Sequence, residues 1–322
     1  MTLNKKTIFV IFSIIFLLNV SVFPKQLKVS GKKHEIEKKS HHDKIDNWKK
    51  DILGIRKKKN EEFKLDKTSP MAGKIRLVAL NDGKYYLNSD KDSLIFLKKK
   101  GKNVLFSVLF KDNKWIYDDA DNKVHCLFNK TEVKLGEKIP FRAMIKTEKY
   151  TIMVYPLDKY LVATVYDSNR EIIKKFKGLK YYKPDYNYNV YAVIQRIKNP
   201  EKVVMLTSKN LKKTFYKYAK ISFKLHNKKY LLYAFKSVKV YAGEDNILFI
   251  PFTDKTTGVT SYYSGRYLEI QEPKNDKFKL DFNLAFNPLC NYSPAYNCAI
   301  PPSDNNLDIE IKAGEKTYPV KH

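Results

Sequence analysis

Residues 215–235 read FYKYAKISFKLHNKKYLLYAF, and the spacing of side chains in this stretch decides the fold class. Through Phe223-Lys224-Leu225-His226 and again through Tyr230-Leu231-Leu232-Tyr233 the pattern has a period close to two. A strand sends successive side chains to opposite faces, whereas a helix repeats about every 3.6 residues. The polar run His226-Asn227-Lys228-Lys229 between the two halves reads as a tight hairpin connection. His226 is then a solvent-side hairpin residue, with a catalytic role as the alternative.

Working outward, strands are expected at 186–196, 203–207, 247–252, 262–270, 278–282 and 307–311. An earlier series is expected at 75–80, 84–87, 94–97, 104–110, 115–117, 124–128, 141–146, 150–155 and 160–166. The turn Asn81-Asp82-Gly83 makes 75–87 read as a hairpin. Strand lengths and turn spacing of this kind suit a sandwich or barrel. A short helix is expected within 167–177. Residues 43–64 read as one amphipathic helix, because Ile45, Trp48, Ile52 and Ile55 recur at roughly helical spacing with charge on the other face. That helix either packs on the domain edge or meets a partner or membrane surface. The expected fold is therefore mainly β: two packed antiparallel β modules, sandwich or barrel-like, with one N-terminal amphipathic helix.

The N-terminus carries Lys5 and Lys6 and then an apolar run from 8 to 18 broken only by Ser13. Such a run is short of the about 20 residues that span a bilayer and fits a signal peptide. The expected organisation is a signal peptide at 1–24, a polar Lys-rich linker at 25–42, a helix with the first β module at 43–170 and a second β module at 171–322. The protein is expected to be exported, periplasmic or extracellular. Anchoring by an uncleaved signal is the alternative.

The chain has 322 residues, 43% of them apolar and 14% aromatic, which supports a sizeable core. Its net charge of +28 raises nucleic acid as a partner, yet only six of the 62 basic residues are Arg. Phosphate and base recognition favours the planar Arg fork over Lys. The charge is also uneven: residues 244–322 hold 8 basic and 11 acidic side chains. No nucleic acid is expected. A solvated Lys-rich surface with weak attraction to anionic membrane or polysaccharide is the reading.

Residues 249–316 differ from everything upstream in their density of Asn, Pro, Tyr and Cys. They contain Phe249-Ile250-Pro251-Phe252-x-Asp254-x-Thr256-x-Gly258, then Tyr262-x-x-Gly265-Arg266-Tyr267-Leu268. Asp281-Phe282-Asn283-x-Ala285-Phe286-Asn287-Pro288-x-Cys290-x-Tyr292 follows, then Cys298-x-x-Pro301-Pro302 and Ala313-Gly314-Glu315-Lys316. These motifs resemble the bacterial family known as domain of unknown function 1684, over about residues 45–316. The resemblance implies an exported or lipid-anchored protein and supplies neither a substrate nor catalytic residues.

Physical chemistry must supply the rest. Arg266 stands out in a chain that otherwise uses Lys. Its guanidinium suits a carboxylate, Asp254 or Asp281, or an anionic ligand group. If 262–270 and 278–282 formed a hairpin, Arg266 and Asp281 would come together. With Tyr262, Asn283 and Asn287 these residues suit the floor of a small polar-ligand pocket. The competing reading is an internal Arg–Asp pair that pins the hairpin to the Pro-rich loop, with the two Asn forming turns. Cys290 and Cys298 are expected to form a disulfide that stiffens this loop, and metal binding is the weaker reading. Cys126 reads as a buried free thiol. No metal, no cofactor and no catalytic signature is expected. Three functions follow: a non-enzymatic protein binding a small polar ligand or envelope partner, a hydrolase or isomerase using Asp254 or Asp281 with Arg266, and a structural envelope protein.

Overall fold

The computed structural model describes residues 33–90, 93–157, 160–238 and 246–318, with side chains from His42 onward. The signal expected at 1–24 lies outside the described residues, as does the first part of the linker. Helix α1 spans Lys33–Leu65 and so begins within the stretch expected as linker. Lys and Glu are good helix formers, and a helix built from them shows no apolar stripe for a sequence reading to find. No described helix is long and apolar enough to cross a membrane.

The first β unit contains β1 (Gly73–Leu80), β2 (Lys84–Asp90), β3 (Ser93–Leu97), β4 (Val104–Lys111) and β5 (Lys114–Ala120). It continues through β6 (His125–Phe128), β7 (Thr131–Glu132), β8 (Ala143–Lys146), β9 (Thr151–Pro156) and β10 (Tyr160–Tyr166). A six-stranded sheet ordered β1-β10-β9-β8-β6-β7 faces a four-stranded sheet ordered β3-β2-β4-β5. Both contribute to one core, with Leu87, Phe106, Ile145 and Leu161 fully buried. The hairpin expected over 75–87 does not form. β1 pairs with β10 and β2 pairs with β3 and β4, so Asn81-Asp82-Gly83 carries the chain from one sheet to the other. A turn signal specifies a reversal of the chain and not the partner of each strand.

A short helix α2 (Glu171–Lys174) leads to the second unit, which contains β11 (Asn189–Leu206), β12 (Lys212–Leu225) and β13 (Lys228–Ser237). It also contains β14 (Ile247–Asp254), β15 (Arg266–Gln271), β16 (Lys277–Asp281) and β17 (Asn306–Leu307). The strands expected at 186–196 and 203–207 are one strand, interrupted by a register shift between Arg196 and Glu201. The deciding hairpin is present: Leu225 faces Lys228, and His226 and Asn227 form the two-residue turn with φ of 47° and 62°. Positive φ at both turn positions gives the twist that antiparallel strands require.

The sheet runs β15-β14-β13-β12-β11-β16. The edge strand β15 is tied to the chain just beyond β16 by Tyr267 and Phe286, whose backbones exchange bonds of 2.8 and 2.9 Å, so the sheet is barrel-like. Its interior holds Ile194, Ile221, Leu232, Ile250, Phe252, Leu268 and Phe282. β13 and β14 pair at Phe235↔Phe249, and the buried Asn305 side chain bridges them further along. Its amide donates to Tyr233 O at 2.9 Å and Pro251 O at 2.7 Å, and its oxygen accepts from Tyr233 N at 2.7 Å. The two units meet where Ala72, Met153 and Tyr166 pack on Tyr262, Cys290, Ala295 and Tyr296.

Candidate functional site

Pairing of β14 with β15 sets Phe252 opposite Arg266 and brings Asp254 under the guanidinium. Both side chains are fully buried and their ion pair is 2.8 Å long. The guanidinium also donates to Ile311 O (2.8 Å), Thr256 Oγ1 (3.3 Å), Glu315 O (3.3 Å) and Ala313 O. It lies over the rings of Phe252 and Tyr182 at 5.4 and 5.7 Å. Asp254 in turn accepts from Thr256 N at 2.7 Å and Ile311 N at 3.2 Å. The pair therefore fastens the segment 311–315 to the barrel wall, and not the Pro-rich loop.

Asp281 is not brought to Arg266. β15 and β16 lie at opposite ends of the sheet order, and β16 pairs with β11. The conditional hairpin of 262–270 with 278–282 is thus replaced by two non-local pairings. Asp281 accepts from Trp48 Nε1 at 2.6 Å on one oxygen, and from Asn283 N and Nδ2 at 2.9 and 2.8 Å on the other. Burial raises its pKa above the usual carboxylate range, against the lowering effect of these donors. Asn283 clamps Asp185, donating to its O at 2.8 Å and accepting from its N at 2.9 Å.

A buried polar cluster that the sequence reading did not assemble surrounds Glu315. One oxygen accepts from Tyr292 OH at 2.6 Å and Asn287 N at 2.8 Å, and the other meets Lys59 Nζ at 2.7 Å. Asn287 also donates to Lys316 O at 2.8 Å. From α1, Arg56 donates to Tyr182 O at 2.8 Å and lies 4.6 Å from the centre of the Tyr181 ring. Burial lowers the Arg56 pKa and raises those of the Tyr181 and Tyr292 hydroxyls. Trp48, Ile52, Arg56, Lys59 and Phe63 recur every three or four residues, the spacing of one helix face. Two signals pointed here: Arg56 is one of six Arg, and Glu315 stands in a quoted motif. Apolar periodicity alone passes over such a face because its anchors are charged.

Two motif glycines now have a steric reason. A Cβ at Gly265 (φ 83°) would stand 2.6 Å from Phe252 O and 2.8 Å from Pro301 Cγ. One at Gly314 (φ 76°) would stand 2.5 Å from Ala285 O. The close approach is to the protein's own backbone.

Tyr262 donates to Cys290 Sγ at 3.6 Å, and Cys290 N donates to Cys298 Sγ at 3.2 Å. The two cysteines are neighbours and carry free thiols, as does the buried Cys126. Among the described residues no group of three or more His, Cys, Asp or Glu converges to hold a metal.

An open cleft of about 470 Å³ lies at one end of the barrel, lined by Tyr188, His226, Lys228, Tyr230, Lys255, Asp308, Ile309, Glu310 and Lys312. The His226 and Tyr188 rings meet edge to face at 6.0 Å. Lys255–Asp308 (2.7 Å) and Lys312–Glu310 (2.6 Å) form exposed ion pairs on its rim. Exposed pairs of this kind are worth about 0–1 kcal/mol, so each holds its partners only weakly. The deciding hairpin thus supplies His226, Lys228 and Tyr230 to the cleft.

Residues 174–316 match the family described as protein of unknown function (DUF1684). The chain is similar to an uncharacterized protein of Haloarcula marismortui with a solution NMR structure. The two are 38% identical over 45% of this chain and 78% of that one, with a TM-score of 0.38. No curated protein matches the chain.

Proposed function

We propose, from the match of residues 174–316 to the DUF1684 family, that the chain is an exported binding protein whose C-terminal barrel takes a small polar ligand in the cleft beside His226. The observation that carries this reading is where the polar groups are engaged. Arg266, Asp254, Asp281, Asn283 and Asn287 have protein partners inside the fold. All nine cleft residues lie within the family-matched span and combine two Tyr side chains with three Lys, two acids and a His. Aromatic walls with a few convergent polar groups are the usual make-up of a small-ligand site. An acidic sugar, with a ring to lie on tyrosine and a carboxylate for lysine, suits this lining. The basic n-region and apolar run within residues 1–24 support export.

The test is amide and aromatic NMR of the full chain titrated with glucuronate. Saturable shifts at Tyr188, His226 and Tyr230 that Lys255→Ala weakens several-fold are expected. Shifts absent at those residues, or unchanged in Lys255→Ala, would sink the proposal.

A further inference from the structure

We infer that Cys290 and Cys298 form a reversible dithiol–disulfide site that exchanges with small disulfides such as oxidised glutathione, Cys298 entering first and Cys290 resolving. Geometry sets the pair. The Cys290 N–H donates to Cys298 Sγ at 3.2 Å, which sets the two cysteine side chains beside one another. The hydroxyls of Tyr262 and Ser208 also face Cys290 Sγ. The Lys213 ammonium, held at Asn297 O at 2.7 Å, lies close enough to both sulfurs to favour negative charge there.

Access decides the order. Cys298 is half-buried and Cys290 is buried. The Cys298 side chain beside it brings the Cys290 pKa down to about 6, while the neighbouring Cys290 and burial hold Cys298 well above the ordinary thiol range. Thiolate is the reacting form in disulfide exchange. In the form with the proton on Cys290, the more exposed Cys298 thiolate attacks one sulfur of the external disulfide and expels a thiolate. Cys290, deprotonated, then attacks Cys298 Sγ and expels the second. Two protein thiols and one external disulfide become one protein disulfide and two external thiols, which take up the two protons. Cys126 is an internal control, fully buried and with its pKa pushed up to about 12 by burial.

The bridge has a structural consequence. Between the two cysteines, Ser293 Oγ donates to Gly73 O at 2.6 Å and Tyr296 packs against Gly73, so this loop carries the contact between the two β units. Closing it stiffens that junction, the general effect of a short disulfide loop.

The experiment treats the folded full chain with oxidised glutathione, then alkylates in denaturant and reads the intact mass. The wild type is expected to lose two hydrogens and take one alkyl group, at Cys126. Cys290→Ser is expected to keep one glutathione on Cys298. Three alkyl groups on the treated wild type, a bridge involving Cys126, or Cys298→Ser acquiring glutathione faster than Cys290→Ser overturns the inference. The wild-type mass decides the bridge even if a variant fails to fold.

Discussion

Arg266 shows how far one side chain organises this protein. It is fully buried, paired with an equally buried Asp254, and bonded to three successive odd-numbered carbonyls of the C-terminal segment, at 311, 313 and 315. A planar fork satisfies acceptors spread around it in a way that the compact ammonium of Lys does not. Removing one partner of a buried pair leaves an uncompensated charge and costs about 3–5 kcal/mol. Arg266→Ala is therefore expected to lose that much in urea denaturation, and Arg266→Lys to restore only part of it. Replacing Arg266 and Asp254 together by apolar side chains is expected to cost less than Arg266→Ala alone. A Lys variant as stable as wild type would show that the fork geometry is unimportant.

At the scale of the element, α1 is held by polar anchors as much as by apolar packing. Trp48 meets Asp281, Arg56 meets Tyr182 O, Lys59 meets Glu315, and Phe63 packs edge to face on Tyr292 at 4.9 Å. Asp281 accepts from donors on both of its oxygens, and Asn offers only one acceptor. Asp281→Asn leaves one buried donor facing an amide, at a cost of about 1–3 kcal/mol. The pH dependence has a definite sign. Burial raises the Asp281 pKa in the fold, so the folded state holds the proton more tightly than the unfolded chain. The resulting stabilisation is complete below the unfolded pKa and is lost as pH rises through the folded one. The stability gap between wild type and Asp281→Asn is thus expected to be widest in acid and to narrow as pH rises through the carboxylate range. Equilibrium unfolding at several pH values measures it, and a gap that widens instead would refute the assignment.

At the scale of the whole molecule, two β units with separate cores share a small junction. Tyr296 belongs to it, in one buried cluster with Ala72, Met153 and Tyr166 of the first unit. Truncating a buried aromatic costs about 3–5 kcal/mol. Tyr296→Ala is expected to split a single calorimetric transition into two, because each unit keeps its own core. One lowered but still single transition would mean that α1 and the C-terminal segment carry the coupling. The sequence by itself determined the β character, the N-terminal helix and a hairpin connection within 226–229, which the structure narrows to a turn at 226–227. Each follows from side-chain period and turn chemistry within a few residues. The resemblance to the DUF1684 family was legible in the motifs between Phe249 and Lys316, and the match over 174–316 bears it out. The tertiary structure alone decided that β1 joins β10, that β16 joins β11, and that Arg266 meets Asp254 and not Asp281. It also decided that Arg56 and Lys59 of α1 reach a cluster built around Glu315. Those choices rest on pairings between distant segments, where burial and hydrogen-bond satisfaction across the whole chain select the partner and local pattern carries no information about it.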